Sequence, residues 1–219
     1  MHGSKPLRSR ILIVDDHPVT RKGLCEVIAA ESALEVCGET DAWREALEKV
    51  HAQRPDLIVL DLHLKDGHGM ELLDHMQAKG PHTPVLVLSA CDETIYAIRL
   101  LKSGALGYLM KTVPVAKVLE AIHKVLAGHV AVSDVIATRL IRATVQDGGK
   151  TRASADFDVL SNLELQVAEL LRLGLNNRNI AERLGVSPKT VGTYKIRLME
   201  KLGTRTTPEL LAHVQAALP

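Results

Sequence analysis

The sequence predicts an α/β domain built on a doubly wound parallel sheet, followed by a smaller all-helical domain. Three observations predict it. Five short apolar runs alternate with amphipathic stretches from Arg10 to Gly128. A polar, glycine-containing stretch at 146–155 has no periodicity and reads as a linker. From Phe157 onward the pattern is helical throughout.

Each element follows in order. Strands are expected at 11–14, 34–37, 57–60, 85–88 and 106–109. Helices are expected around 18–31, 41–53, 68–79, 92–103 and 114–127. Crossovers between parallel strands are right-handed, so helices should cover both faces of an open sheet. Ligands of such sheets bind beyond the carboxyl ends of the strands. A short extended piece, 129–132, leads to Ser133, an N-cap for a helix over 134–144.

The second region is punctuated by caps. Ser161 and Glu164 form a capping box, each satisfying a free amide at a helix start. That helix ends before Gly174, and a short one spans 177–184. The turn Gly185-Val186-Ser187 follows, and Ser187 caps a helix with Pro188 at its first position. It continues to Leu202, and a last helix starts near Pro208. A short helix, a three-residue turn and a longer helix make a helix-turn-helix.

Composition narrows the classes. The chain has 219 residues, enough for one or two domains, with 46% hydrophobic and 24% charged residues. No apolar stretch approaches the roughly 18 residues of a membrane span. The start, Met1-His2-Gly3-Ser4-Lys5-Pro6, lacks the apolar core of a signal peptide. Cys25, Cys37 and Cys91 are odd in number and lack metal-ligand spacing, so they read as reduced, packed thiols of a cytoplasmic protein. Residues 1–149 carry 17 Lys/Arg against 19 Asp/Glu, and residues 150–219 carry 10 against 7. An anionic partner therefore suits the second region only. Only five aromatic residues are present. Single strands are gripped on aromatic platforms, so duplex DNA fits better.

The chemistry collects at one sheet edge. Asp15 and Asp16 follow the first strand and Asp61 the third. Ser89 follows the fourth strand and Lys111 the fifth. Clustered carboxylates repel, and their oxygens suit a small hard cation such as Mg²⁺. Asp61 is placed to act as a carboxylate nucleophile toward a phosphoryl group. Lys111 and Ser89 offer a point charge and a hydroxyl to its oxygens. Asp56 precedes its strand and so lies at the wrong edge. His63 is expected to reach a metal only through its backbone carbonyl, and His68 to be a solvated loop residue.

These residues carry a resemblance. Asp15-Asp16, Asp61, Ser89-Ala90 and Gly107-Tyr108-Leu109-Met110-Lys111 stand as in the receiver domain of two-component response regulators, over about residues 9–128. The resemblance implies a flavodoxin-like (βα)5 fold and Mg²⁺ held by Asp15, Asp16, Asp61 and the His63 carbonyl. It also implies phosphorylation of Asp61 by a sensor histidine kinase, with Ser89 and Tyr108 reorienting when phosphate arrives. Tyr108 is otherwise a plain edge-strand aromatic. Two departures stand out: Lys65 replaces a usual proline four residues after Asp61, and Thr112 replaces the proline after Lys111. His63 and Cys91 should flank the path of the water that hydrolyses the acyl phosphate.

Residues 160–203 resemble the LuxR-type helix-turn-helix of NarL/FixJ regulators through Leu160-Ser161, Glu164, Val167, Leu170, Gly174, Asn177, Ile180-Ala181, Leu184-Gly185-Val186-Ser187, Thr190-Val191 and Lys201-Leu202-Gly203. The resemblance makes 188–202 a recognition helix for duplex DNA and implies a DNA-binding domain over 156–219, active as a homodimer. Helical spacing puts Val191, Leu198 and Leu202 in the core. Lys189, Thr190, Gly192, Thr193, Ile196 and Arg197 are expected toward the DNA. Lys189 or Arg197 either reads guanine or binds phosphate. Lys195, Asn177 and Arg178 suit phosphate, the last two through a helix start. Leu163, Gly192 and Tyr194 depart from the family's usual Arg, Lys or Ser, and His. The final helix, with Leu210, Leu211 and Val214, is core cover, a dimer surface, or both.

Rival classes fit less well. A flavin protein needs a Ser/Thr/Gly phosphate loop where Asp15-Asp16-His17-Pro18 stands. A Mg²⁺-dependent phosphatase wants Asp-x-Asp after one strand. The closer rival is a regulator of the same family whose pocket is never phosphorylated. Either way the chain is expected not to be an enzyme beyond its own phosphotransfer and dephosphorylation.

Overall fold

The computed structural model describes residues 8–79, 83–145 and 159–217. The expected linker at 146–155 and the first seven residues lie outside them. The chain divides into two compact units, residues 1–140 and 141–219.

In the first unit the strands are β1 (Ser9–Val14), β2 (Leu34–Thr40), β3 (Leu57–Leu60), β6 (Val85–Ser89) and β7 (Gly107–Met110). They form one parallel sheet in the order β2-β1-β3-β6-β7. The helices are α1 (Pro18–Ala30), α2 (Trp43–Gln53), α3 (Gly69–Lys79), α4 (Glu93–Lys102) and α5 (Val115–Leu126). The runs Ile11–Val14 and Leu57–Leu60 are wholly buried, as central strands covered on both faces must be. One core cluster joins Ile11, Ile13, Leu57, Val59, Leu86 and Leu88 to Leu24 and Ile28 of α1 and to Val118, Ile122 and Val125 of α5.

Between β3 and α3 lies a two-stranded hairpin that the sequence did not predict, β4 (His63–Leu64) with β5 (Gly67–His68). It is stitched to the β2–α2 loop. Asp66 accepts the Trp43 amide at 2.8 Å and the Arg44 amide at 3.2 Å, so it caps α2 from outside that helix. The Lys65 amide donates to the Asp41 carbonyl at 3.0 Å, a bond that a proline at this position cannot make.

After α5, residue Ala131 bridges Gly107 on the outer edge of β7. Helix α6 (Asp134–Val145) then begins, and the division between the units falls inside it.

The second unit holds α7 (Asn162–Arg172), α8 (Asn177–Leu184), α9 (Pro188–Leu202) and α10 (Thr207–Ala217). The capping box of Ser161 and Glu164 is present, and Ser187 caps α9 by accepting the Thr190 amide. Asn176 caps α8. Gly185 and Gly203 end α8 and α9 in the left-handed region, at φ 64° and 67°. The core packs Leu165, Val167, Leu170 and Leu171 against Ile180, Val191 and Leu198, with Leu210 and Val214 of α10. Leu202 is half-buried at the edge of this core.

Candidate functional site

The register places the acidic residues side by side. Val14 pairs with Leu60, so the next residues, Asp15 and Asp61, leave adjacent strands together. The Asp61 amide donates to the Val14 carbonyl at 2.8 Å, and the Asp15 amide to the Thr40 carbonyl at 3.0 Å. Ligand atoms of Asp15, Asp16, His17 and Asp61 all lie within 4.8 Å of one another.

Lys111 offsets part of the charge of this cluster. Its Nζ lies 2.7 Å from Asp61 Oδ2 and 2.8 Å from Asp15 Oδ2. The other oxygen of each carboxylate is fixed by a local amide: Leu62 N–H to Asp61 Oδ1 at 2.7 Å, and His17 N–H to Asp15 Oδ1 at 2.8 Å. Both carboxylates are about 2% exposed. Burial raises the Asp15 pKa, outweighing the lowering from the Lys111 hydrogen bond and the His17 amide. Burial alone would lower the Lys111 pKa, but the hydrogen bonds it donates to Asp15 and Asp61 leave it raised. The lysine is therefore charged, and it is joined to the sheet by its own amide, which donates to the Ser89 carbonyl at 2.8 Å.

His17 joins this cluster, a neighbour that the sequence reading did not include. Its Nδ1 lies 2.7 Å from Asp16 Oδ1 and 3.7 Å from Asp61 Oδ2. The signal was a histidine at the N-cap position of α1, directly after the paired aspartates. Asp16 Oδ1 is buried and, among the described residues, accepts no hydrogen bond, with the His17 ring nitrogen 2.7 Å away. An orphaned buried carboxylate oxygen beside two others is a set of hard oxygen donors that fits Mg²⁺. Gly69 is required here: a Cβ on it would run into the Asp61 carbonyl oxygen.

Ser89 is fully buried at the end of β6, and its Oγ accepts the Cys91 amide at 3.3 Å. Tyr108 is not a surface aromatic, although β7 is the sheet's edge. It is fully buried, and its hydroxyl donates to the Cys91 carbonyl at 2.7 Å. Both switch candidates thus hold the same residue. The His63 ring lies against Cys91, with Nδ1 3.7 Å from Sγ. Asp56 sits at the opposite end of β3, where it accepts the Arg10 amide.

His68 contradicts the expectation of a solvated loop residue. It is 3% exposed, stacked near the Tyr96 ring at 6.1 Å and edge-on to His63 at 5.9 Å. The hairpin folds it inward, and its Nδ1 accepts the Met70 amide at 3.2 Å. Nε2 therefore carries the proton of the neutral ring, and it is buried without a partner among the described residues. Burial, reinforced by His63, pushes its pKa down to about 3.

In the second unit α9 presents Lys189, Thr193, Ile196 and Arg197 to solvent. Ile196 is 55% exposed, an apolar side chain on a polar face. Arg197 lies over the Tyr194 ring at 5.9 Å. Lys195 Nζ meets Asn177 Oδ1 at 3.3 Å, tying α9 to the start of α8. Arg178 pairs with Glu182 at 3.3 Å on the exposed surface. Thr190 is half-buried, with its hydroxyl 2.7 Å from that of Ser187. A Cβ on Gly192 would meet nothing within 4 Å. Glu164 has a second role besides its cap: its carboxylate is buried and meets Lys201 Nζ at 2.6 Å.

Comparison with known proteins supplies the context. The family model of the response regulator receiver domain matches residues 11–123, and that of the luxR family of bacterial regulatory proteins matches residues 158–214. The chain is 33% identical over 201 residues to the response regulator GacA of Pseudomonas viridiflava, spanning 92% of both chains. It is 33% identical over 207 residues to the oxygen regulatory protein NreC of Staphylococcus aureus (strain MRSA252), spanning 93% of this chain and 95% of that one. A structure of RcsB from Salmonella enterica serovar Typhimurium, bound to promoter P1flhDC in the presence of the phosphomimetic BeF3-, matches its fold with a TM-score of 0.67. That likeness is at 21% identity and covers 95% of this chain and 99% of that one.

Proposed function

This chain belongs to the NarL/FixJ family of two-component transcriptional response regulators, and we propose that its input is phosphorylation of Asp61 by a sensor histidine kinase. One observation carries the reading: Asp61 Oδ2 lies 2.7 Å from Lys111 Nζ, in a cluster with Asp15 and Asp16 at the carboxyl edge of the sheet. A carboxylate oxygen of Asp61 attacks phosphorus, and the bond from phosphorus to the kinase histidine breaks. The electron pair leaves with that nitrogen. Lys111 binds a phosphoryl oxygen, and the Ser89 hydroxyl donates to another. Asp15, Asp16, Asp61 and the His63 carbonyl would hold Mg²⁺, which supplies positive charge for the phosphoryl oxygens. The protein then needs no catalytic activity beyond accepting this group and hydrolysing it.

The signal passes to a DNA-binding domain. We place the receiver at 9–128, the connecting segment at 129–155 and the DNA-binding domain at 156–219. In the cytoplasm, two such domains of a homodimer bind paired half-sites in promoter DNA, as RcsB is seen bound to a promoter. Lys189, Thr193, Ile196 and Arg197 face base edges, with Thr190 and Gly192 beside them. Lys195, Asn177 and Arg178 face phosphates. Leu210 and Val214 of α10 are core cover, which leaves the half-buried Leu211 for any dimer contact.

The contact between His63 and Cys91 supports a role in the lifetime of the phosphorylated state. His63→Ala and Cys91→Ser should change the rate of dephosphorylation, and unchanged rates would reject that role. The main reading is tested with acetyl phosphate and Mg²⁺. Intact mass should show one added phosphoryl group in the wild type and none in Asp61→Asn, and light scattering should report assembly. A wild type that gains no mass overturns it.

A further inference from the structure

After α5 the chain doubles back across the receiver. The Tyr108 amide donates to the Ala131 carbonyl at 2.8 Å, and the Ala131 amide to the Leu106 carbonyl at 3.0 Å. This approach demands glycine on β7, since a Cβ on Gly107 would lie 2.8 Å from the Ala131 carbonyl oxygen. The chain then grips the first turn of α4. Ser133 Oγ donates to Glu93 Oε1 at 2.8 Å, and Arg139 Nη1 to the Thr94 carbonyl at 2.6 Å. Ile136, one helical turn from each, is fully buried. All of these residues belong to the first unit.

One anchor of this segment holds the switch candidate Tyr108, and the other holds the first turn of α4, just beyond Ser89. Tyr108 is held at its amide by Ala131 and at its hydroxyl by the Cys91 carbonyl. Cys91 donates its amide to Ser89 Oγ, and Asp92 caps α4 through the Thr94 amide at 2.7 Å. Only three residues separate Ser89 from Glu93. If the Ser89 hydroxyl turns to a phosphoryl oxygen, it gives up the Cys91 amide. The loop and the first turn of α4 then shift against a strand edge that stays fixed.

We infer that residues 129–139 are a strap by which α6 reads the state of Asp61. Ser133 and Arg139 hold the start of α6 on α4 in the resting protein, and phosphorylation loosens that hold. The inference rests on the proposed phosphorylation of Asp61. Because α6 runs unbroken to Val145, across the division between the units, a looser start changes the helix that leads to the DNA-binding domain.

Hydrogen–deuterium exchange of peptides spanning 129–140 tests this on the full chain. Exchange is measured before and after acetyl phosphate and Mg²⁺, with phosphorylation checked by intact mass. Phosphorylated wild type should exchange there roughly tenfold faster. Arg139→Ala should show the same increase without phosphate, while still taking up one phosphoryl group, and Arg139→Lys should restore the resting protection. A full mass gain with unchanged exchange overturns the strap, as does resting protection in Arg139→Ala. No mass gain in the wild type overturns the Asp61 reading first, and the strap with it.

Discussion

The buried ring of His68 makes a quantitative prediction about acid stability. Its pKa is pushed down to about 3, because the charged ring would lie in an apolar site beside His63. In the unfolded chain the pKa is about 6.5. Below that value the unfolded chain binds a proton that the folded protein refuses. The folded state therefore loses stability as pH falls, at about 1.4 kcal/mol per pH unit. From pH 6.5 to pH 5 this amounts to about 2 kcal/mol, a large share of a domain's stability. The perturbation is His68→Leu, which fills the site without a titrating group. It leaves the Met70 amide without its acceptor, a cost that does not depend on pH. Urea denaturation of both proteins between pH 4.5 and 7.5 isolates the effect, since titrations remote from this site cancel in the difference. The stability of the wild type relative to His68→Leu should be flat above pH 7 and fall below pH 6.5. A difference that does not vary with pH refutes the burial argument.

Three further outcomes follow from the second unit. Lys201→Met should cost about 2 kcal/mol, because it strands the buried Glu164 carboxylate; the figure is below that of a fully buried pair because Lys201 is partly exposed. The Lys201 hydrogen bond and the Ser161 cap overcome burial and hold the Glu164 pKa below its usual value. Stability from this carboxylate is thus present above the ordinary glutamate pKa and lost on acidification, so the two proteins should converge in urea midpoint toward low pH. Gly192→Ala should stabilise α9 by up to about 1 kcal/mol, since a Cβ there meets nothing. It should leave DNA affinity unchanged, and a loss of tenfold or more (about 1.4 kcal/mol) would instead assign Gly192 to close approach of the DNA. Ile196→Ala should alter stability by less than about 0.5 kcal/mol and relax preference at one base step, which a binding-site selection would show.

The central features were legible because they are local. Apolar runs ending flush in Asp15 and Asp61 declare both the buried strands and the edge where carboxylates meet. Ser161, Ser187, Gly185 and Gly203 declare helix ends through backbone chemistry that any reader can apply. The hairpin at 63–68 was not legible. Its strands are two residues long, too short for alternation, and it is held by Asp66 and Lys65 reaching the β2–α2 loop. His68, between two glycines, reads as a loop residue, and only the fold turns it inward. The pairing of Glu164 with Lys201 spans 37 positions and leaves no periodic trace. The strap was half legible: Ser133 and the helix after it were expected, but not what they grip.

The most direct test concerns which residue carries the phosphate. An aspartyl phosphate is reduced by borohydride to homoserine, a change that peptide mass spectrometry locates to one position. After acetyl phosphate and Mg²⁺, homoserine should be found at position 61 and nowhere else. Homoserine at 15, 16 or 56, or none at all, would contradict the account.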